Sequence, residues 1–209
     1  MFTGIVEELG EVADLRLSPD GGDARVTVRG PVVTGDVGIG DSISVSGVCL
    51  TVVSTGPEPG TFDADVMHET LSRTTAGTWR AGSRVNLERS VTPTTRMGGH
   101  LVQGHVDGVG VVVDRAAHPG YDELSIRVST ELGRYLAGKG AVAVDGVSLT
   151  VIDVTDESDG TVFTLGIIPQ TRTVTTLGTL KIADRVNVEA DVMAKYAERL
   201  LADRVGAFR

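Results

Sequence analysis

Two short segments of this 209-residue chain set small polar side chains on alternate positions beside a glycine. If Val48-Cys49-Leu50-Thr51-Val52 is a strand, Cys49 and Thr51 share one face and Val48, Leu50 and Val52 the other. Ser148 and Thr150 take the same polar positions in Val147-Ser148-Leu149-Thr150-Val151. Such a face can hydrogen-bond a flat heterocycle, and neighbouring glycines allow the backbone to come close. Cys49 taken alone is a small hydrophobe; its place beside Thr51, and its replacement by Ser148 in the second segment, draw it toward the polar role. Two of the four histidines lie in Gly98-Gly99-His100-Leu101-Val102-Gln103-Gly104-His105. Their five-residue spacing puts them on opposite faces of a strand and on no common helix face, which disfavours a joint metal site. Each suits proton transfer near neutrality or a structural hydrogen bond. Lys139, between Gly138 and Gly140, is an exposed turn lysine or a ligand contact. Glu69 and Thr70, with Gln170 and Thr171 as counterparts, are strand-end polar positions or ligand contacts. His118, before Pro119-Gly120, reads as loop surface. No glycine-rich phosphate loop or nucleophile elbow is present.

The elements that must position these groups are short. Glycine, 27 of 209 residues against an average of about 7%, separates Val/Ile/Thr-rich runs of period two. That pattern points to a barrel or a sandwich rather than a parallel α/β sheet. Residues 131–136 are compatible with a short helix. Residues 190–205 lack Gly and Pro and read as a longer one, with Asp191 as N-cap or first-turn acid. Val192, Met193, Tyr196 and Leu200 form an apolar stripe along it, to be buried on its own domain or on another copy of the chain.

Composition narrows the function. No apolar run reaches the roughly 20 residues of a membrane span, and residues 1–8 lack the features of a signal peptide. A formal net charge of −9 and 4% aromatics disfavour nucleic acid and anionic membranes as partners. One cysteine leaves no internal disulfide and no multi-cysteine zinc site, consistent with a reducing cytoplasm.

The chain also repeats itself. Gly47–Val53 matches Gly146–Ile152 at an offset of 99, and Arg84–Glu88 matches Arg185–Glu189 at 101. Phe62–Thr75 pairs with Phe163–Thr176 at 101, and Gly4-Ile5-Val6 with Gly104-His105-Val106 at 100. Four blocks in one order make two homologous β domains, meeting near Gly98-Gly99. The duplication points to two similar ligand sites per chain rather than to a merely larger core, because the matched segments include polar side chains that packing alone would not select.

Together these residues resemble the riboflavin synthase family, alpha-chain type. The resemblance is carried by Met1-Phe2-Thr3-Gly4-Ile5-Val6, Gly47–Val52, Gly99–His105, Asp145–Thr150 and Thr175-Thr176-Leu177-Gly178. It covers nearly the whole chain. It implies an all-β fold with a C-terminal helix: two homologous six-stranded Greek-key barrels, over 1–98 and 99–189, then a trimerisation helix over 190–209. It implies a cofactor-free transferase in the cytoplasm. Two molecules of 6,7-dimethyl-8-ribityllumazine would be dismutated to riboflavin and 5-amino-6-ribitylamino-uracil, with no metal. The implied partners are two further copies in a homotrimer and, as a pathway neighbour, lumazine synthase. Each barrel would hold one lumazine, and the productive site would pair the first barrel of one chain with the second of a neighbour.

By matching motif, the first-barrel site takes Gly4, Ile5, Val6, Cys49, Leu50 and Thr51, with Asp65, Val66, Met67, His68, Glu69 and Thr70. The second takes Gly104, His105, Val106, Lys139, Ser148, Leu149 and Thr150, with Gly166, Ile167, Ile168, Pro169, Gln170 and Thr171. Phe2, Ser42, His100, His105 and Asp191 match positions associated with activity. His105 is the expected proton-transfer aid, His100 shapes the site, and Cys49, Ser148 and Lys139 complete the catalytic set. Gln170 departs from the acid or histidine frequent there; an amide exchanges hydrogen bonds but is no base. A non-catalytic lumazine or flavin carrier and a purely structural trimer are the competing readings; retention of Cys49, His100 and His105 favours the enzyme.

Overall fold

A computed structural model describes residues 1–19 and 21–205, with the side chains of the last helix through Leu201. Six strands, β1 (Glu8–Leu17), β2 (Ala24–Arg29), β3 (Ser42–Val45), β4 (Val48–Thr55), β5 (Thr61–Val66) and β6 (Arg84–Arg89), precede a second set of six. That set is β7 (Gly108–Ala117), β8 (Asp122–Val128), β9 (Ala141–Val144), β10 (Val147–Glu157), β11 (Gly160–Ile167) and β12 (Arg185–Ala190). Each set closes into an antiparallel barrel, β1-β2-β5-β4-β3-β6 and β10-β11-β8-β7-β12-β9, which is one cyclic order written from two starting points and in opposite senses. Closure leaves no open sheet edge in either barrel. The duplication read from the sequence is therefore a duplication of topology, and of the two architectures left open by the strand pattern the barrel is observed.

Period-two alternation does the folding work. In β2, Ala24, Val26 and Val28 point into the core, while Arg25 and Arg29 face water. Opposite Arg25 across the pair stands Asp65, joined to it by two hydrogen bonds of 2.8 and 3.0 Å. Phe62 and Phe163, matched positions of the repeat, are both fully buried at the centres of their barrels. The register shifts at Val52/Ser54 and at Val151/Asp153, and again at Val12/Asp14 and Val112/Asp114. Such bulges bend a strand, and here they fall at the same place in each repeat, as closing the same barrel twice requires.

The barrels meet through their β3–β4 and β9–β10 turns. Ser46-Gly47 and Asp145-Gly146 both have two positive φ angles, the tight hairpin geometry that favours glycine at its second position. The turns touch back to back: a methyl group built on Gly47 would lie 2.8 Å from the amide nitrogen of Gly146. On either side stands a buried asparagine. Asn86 donates through Nδ2 to the Asp145 carbonyl and to Thr176 Oγ1, both at 2.9 Å, and accepts from the Thr176 amide at 2.8 Å. Asn187 repeats this across the seam, donating to the Ser46 carbonyl at 2.8 Å and accepting from the Thr75 amide at 2.7 Å.

Among the described residues four α-helices, α1 (His68–Arg73), α2 (Thr130–Gly133), α3 (Pro169–Val174) and α4 (Val192–Val205), and two short 3-10 turns, Thr75–Thr78 and Thr176–Thr179, decorate the barrels. The short helix read over 131–136 is shorter still. Ser129 caps it, and it stops at Gly133, which packs so tightly on Thr161 that no side chain fits. The last helix starts at Val192 rather than 190, because β12 runs on through Ala190; Asp191 then caps it, accepting from the Met193 amide at 3.0 Å. Its expected extension through 206–209 lies outside the described residues. The helix is tied to the second barrel by Lys195–Asp107 and Arg134–Glu198, both at 2.6 Å, and by Tyr135–Glu198. Of the apolar stripe only Val192 is buried; Met193, Tyr196 and Leu200 are 68%, 61% and 76% exposed. Among the described residues no helix is long and apolar enough to cross a membrane.

The seam contains one asymmetry that titrates. Ser46 of the first turn corresponds to Asp145 of the second, whose carboxylate accepts from the Asn187 amide at 2.8 Å. Burial pushes the Asp145 carboxyl up to about 7, against the partial opposition of that hydrogen bond. A carboxyl raised in the folded state favours folding fully below its unfolded value, and this contribution is lost as pH climbs through the folded value. Asp145→Asn keeps an acceptor for Asn187 and removes the titration. Its melting temperature relative to the parent is expected to rise between about pH 4 and 7 and to level off above. A difference that stays constant across a pH series of thermal scans would exclude this role.

Candidate active site

Cys49 and Thr51 lie on the outer face of β4, with Val48, Leu50 and Val52 turned into the core. Their cross-strand neighbours on β3 are Ser44 and Ser42. Ser148 and Thr150 occupy the outer face of β10, opposite Ala143 and Ala141 of β9. Both polar faces expected from the sequence are thus formed. Val52 pairs with Ala64 and Val151 with Leu165. Continuing those registers brings Thr51 beside Asp65 and Thr150 beside Gly166. The 65–70 and 166–171 segments therefore run past the polar faces and on into α1 and α3.

The remaining segments are not grouped as expected. Each tripeptide is held by its own barrel, Gly4 by Glu88 of β6 and Gly104 and His105 by Glu189 of β12, but reaches across to the polar face of the other; in that sense the two are exchanged. The Ser148 amide donates to the Gly4 carbonyl at 2.8 Å, and the Cys49 amide donates to the Gly104 carbonyl at 2.9 Å. Val6 packs against the core of the second barrel and Val106 against that of the first. The physical reason is the paired strand ahead of each tripeptide: Phe2 and Val102 form an antiparallel bridge, exchanging bonds of 2.7 and 3.1 Å, which points the two chains past each other. Phe2 is fully buried with Val102 and Ala143, and Cys49 packs against this cluster.

Two half-sites result. The first combines Cys49, Thr51, Ser42 and the 65–70 segment with Gly104, His105 and Val106. Asp65 is engaged with Arg25, Glu69 with Arg73 at 2.9 Å, Val66 is in the core, and Met67 is 66% exposed at the rim. His68 is exposed, its backbone amide held by Asp23 at 2.8 Å. His105 is exposed and follows Gly104, whose carbonyl accepts from the Cys49 amide. The second half-site combines Ser148, Thr150 and the 166–171 segment with Gly4, Ile5 and Val6. Leu149 packs on the core, Ile167 is buried, and Ile168 is 55% exposed. Pro169 and Gln170 open α3 at the surface. Lys139 is exposed with positive φ, and its amide bonds the Val151 carbonyl at 2.8 Å, so it borders Thr150. His100 joins this half-site: its Nδ1 is 2.7 Å from Ser148 Oγ, and its Nε2 is buried with no partner among the described residues. Burial depresses the His100 imidazole, with Asp191 opposing, so the ring is held toward its neutral form.

Sequence reading passed over four polar residues that build these half-sites. Asn86 and Asn187 form the seam. Glu88 and Glu189 are 5% and 2% exposed and accept backbone amides of Thr3, Gly4, Gln103, Gly104 and His105. The signal was present in the repeated Arg-Val-Asn-x-Glu block, where two polar residues recur on one face of a strand.

Residues 3–90 and 103–191 each match the family model described as the lumazine binding domain. The chain is 51% identical over 201 residues to a riboflavin synthase of Mycobacterium tuberculosis, covering 96% of this chain and 98% of that protein. The chain belongs to the riboflavin synthase family. A riboflavin synthase of Actinobacillus pleuropneumoniae is 44% identical, over 96% of this chain and 90% of that one. Among solved structures, LumP complexed with riboflavin superposes with a TM-score of 0.79 at 23% identity, covering 91% of this chain and 99% of that chain. At that identity the likeness speaks for the fold. The family membership bears out the resemblance read from the sequence, and the two matched domains coincide with the two barrels.

Gly104 and Gly4 are two positions where the candidate half-sites of this riboflavin synthase family member are tightly built. Both have positive φ, and a Cβ at either would stand 2.6 Å from the Cβ of the residue beneath, Cys49 or Ser148. Gly104→Ala is expected to cost about 1–3 kcal/mol of stability from backbone strain alone, more from the clash, and to weaken lumazine binding. Urea denaturation and fluorescence titration with 6,7-dimethyl-8-ribityllumazine measure the two effects.

Proposed function

We infer that the chain catalyses the dismutation of two 6,7-dimethyl-8-ribityllumazine molecules to riboflavin and 5-amino-6-ribitylamino-uracil. The observation that carries this is the presence, on one near-symmetric scaffold, of two lumazine-domain half-sites with different side chains. One has Cys49 and His105; the other has Ser148 and His100. The reaction needs one molecule to surrender a four-carbon unit and an identical one to receive it. The atoms of two substrate molecules equal those of the two products, so the stoichiometry calls for no oxidant, reductant or group carrier.

The chemistry asked of the protein is modest. The methyl at carbon 7 of the lumazine is acidic because the ring spreads the carbanion. A nearby base, fixed donors to the ring and exclusion of water then suffice. His105, exposed beside the first polar face, is suited to accept and return that proton. With Nδ1–H of a His100 kept toward neutrality donating to it, Ser148 Oγ keeps its single proton to donate to a ring heteroatom. Holding two rings face to face converts an encounter into an effectively unimolecular step. The same reading takes the chain as a cytoplasmic homotrimer in which the first half-site of one copy meets the second of a neighbour. The uncovered stripe of Met193, Tyr196 and Leu200 on α4 supports self-association there. Lumazine synthase supplies the substrate, and contact between the two enzymes belongs to this reading.

Purified protein incubated with 6,7-dimethyl-8-ribityllumazine, without added cofactor, is expected to form riboflavin and the ribitylamino-uracil in equal amounts. No riboflavin at high enzyme concentration would refute the assignment and favour a carrier, the role to which the ligand-bound LumP structures are a parallel. His105→Ala is expected to lower kcat by about a hundredfold with less effect on binding. Removing residues 192–209 should yield a monomer by sedimentation with little activity; an active monomer would rule out a site shared between copies.

A further inference from the structure

Two buried carboxylates have no role in the chemistry described so far, and neither is paired with a cation in a salt bridge among the described residues. Glu88, on β6, accepts from the Thr3 amide and Thr3 Oγ1, both at 2.7 Å, and from the Gly4 amide at 2.9 Å. Glu189, on β12, accepts from the amides of Gln103, Gly104 and His105 at 2.7, 2.9 and 3.0 Å. Burying a carboxylate is costly unless its lone pairs are filled, and nothing in a barrel core calls for one. An ionised carboxylate is, however, the one side chain that can accept from several consecutive amides at once. Burial raises the carboxyl of each, and the backbone hydrogen bonds oppose that rise. Lys195 also opposes it at Glu189, while Glu7 and Asp107 add like charge at Glu88 and Glu189 respectively.

What each carboxylate holds is the exchanged tripeptide. The Glu88 segment ends in the Gly4 carbonyl on Ser148, and the Glu189 segment ends in the Gly104 carbonyl on Cys49 and carries His105. Neither tripeptide lies in a helix or a named strand, so no ladder fixes it. We propose that Glu88 and Glu189 are positioning residues for the reaction, each reaching from one barrel to set the backbone that completes the half-site on the other. Glu189 governs the backbone that carries His105 on from Gly104, whose carbonyl rests on the Cys49 amide, and Glu88 governs the backbone at Gly4, whose carbonyl rests on the Ser148 amide. The link to turnover rests on the function proposed above; the clamp itself does not.

Glu189→Gln tests it in the full-length chain. The amide cannot accept from three donors through two charged oxygens, and its NH2 faces them. Three readouts are needed: thermal unfolding, kcat and KM for 6,7-dimethyl-8-ribityllumazine, and the rate at which iodoacetamide alkylates Cys49, the single cysteine of the chain. A folded variant with kcat lower by about ten- to a hundredfold, smaller change in KM and several-fold faster Cys49 alkylation is expected. A variant that loses stability while keeping parental kcat and Cys49 reactivity makes Glu189 a structural strut and overturns the proposal, as does one unchanged in all three. If Glu189→Gln does not fold, Thr3→Val decides. It removes the hydroxyl bond to Glu88 together with that hydroxyl's 3.2 Å bond from the Ile5 amide, and is expected to lower kcat several-fold; parental kcat in a stable Thr3→Val overturns the proposal. An inactive parent would count against the proposed function alone, because Cys49 reactivity still reports on the clamp.

Discussion

The strip of buried polar groups between the barrels sets the geometry on which everything else depends. Asn86 and Asn187 are both almost wholly inaccessible, so every polar atom of their carboxamides needs a protein partner. They find it in the opposing repeat, in the turn carbonyls at Ser46 and Asp145 and in the amides of Thr75 and Thr176. Hydrogen bonds of this kind add little net stability when made but cost heavily when lost. They therefore select one docking of the barrels out of the many that apolar packing alone would accept. That docking is what brings Phe2 to Val102, and with it Gly4 to Ser148 and Gly104 to Cys49.

On this near-symmetric frame the side chains facing outward are not alike. Cys49 stands where the second repeat has Ser148, Ser42 and Ser44 where it has Ala141 and Ala143, and His105 where the first tripeptide has Ile5. Backbone features do not diverge in this way: strand order, bulges, tight turns and carboxylate clamps are all duplicated. The scaffold offers two copies of one backbone arrangement, and the side chains give each a different chemical character. A reaction between two identical molecules with different fates fits such a division.

Much of this was legible in the sequence because it is local. Alternation in Val48–Val52 and Val147–Val151 gave the faces of β4 and β10, and constant offsets gave the duplication. The apolar stripe and Asp191 gave α4 and its cap. The exchange of Gly4–Val6 and Gly104–Val106 was not legible, since both tripeptides match each other perfectly well whichever barrel they sit on. Only the tertiary bridge between Phe2 and Val102 decides. Glu88 and Glu189 were passed over for a related reason. A glutamate in a strand of Val, Asn and Leu reads as a solvated position, and its burial depends on a loop some 85 residues away in the chain.

The exchanged tripeptides also bear on how the molecule opens. Amide protons leave a folded chain through openings that release a cooperative unit, and such units usually follow supersecondary structure. Here the amides of Cys49 and Ser148, one in each barrel, are each tied to a carbonyl that another carboxylate secures on the opposite side of the seam. Neither barrel can fray at its ligand face without drawing out a segment of the other. The two repeats, separable by sequence, thus share one unit of opening at the candidate half-sites. The protection of those two amides belongs to the whole chain rather than to the barrel that contains each of them.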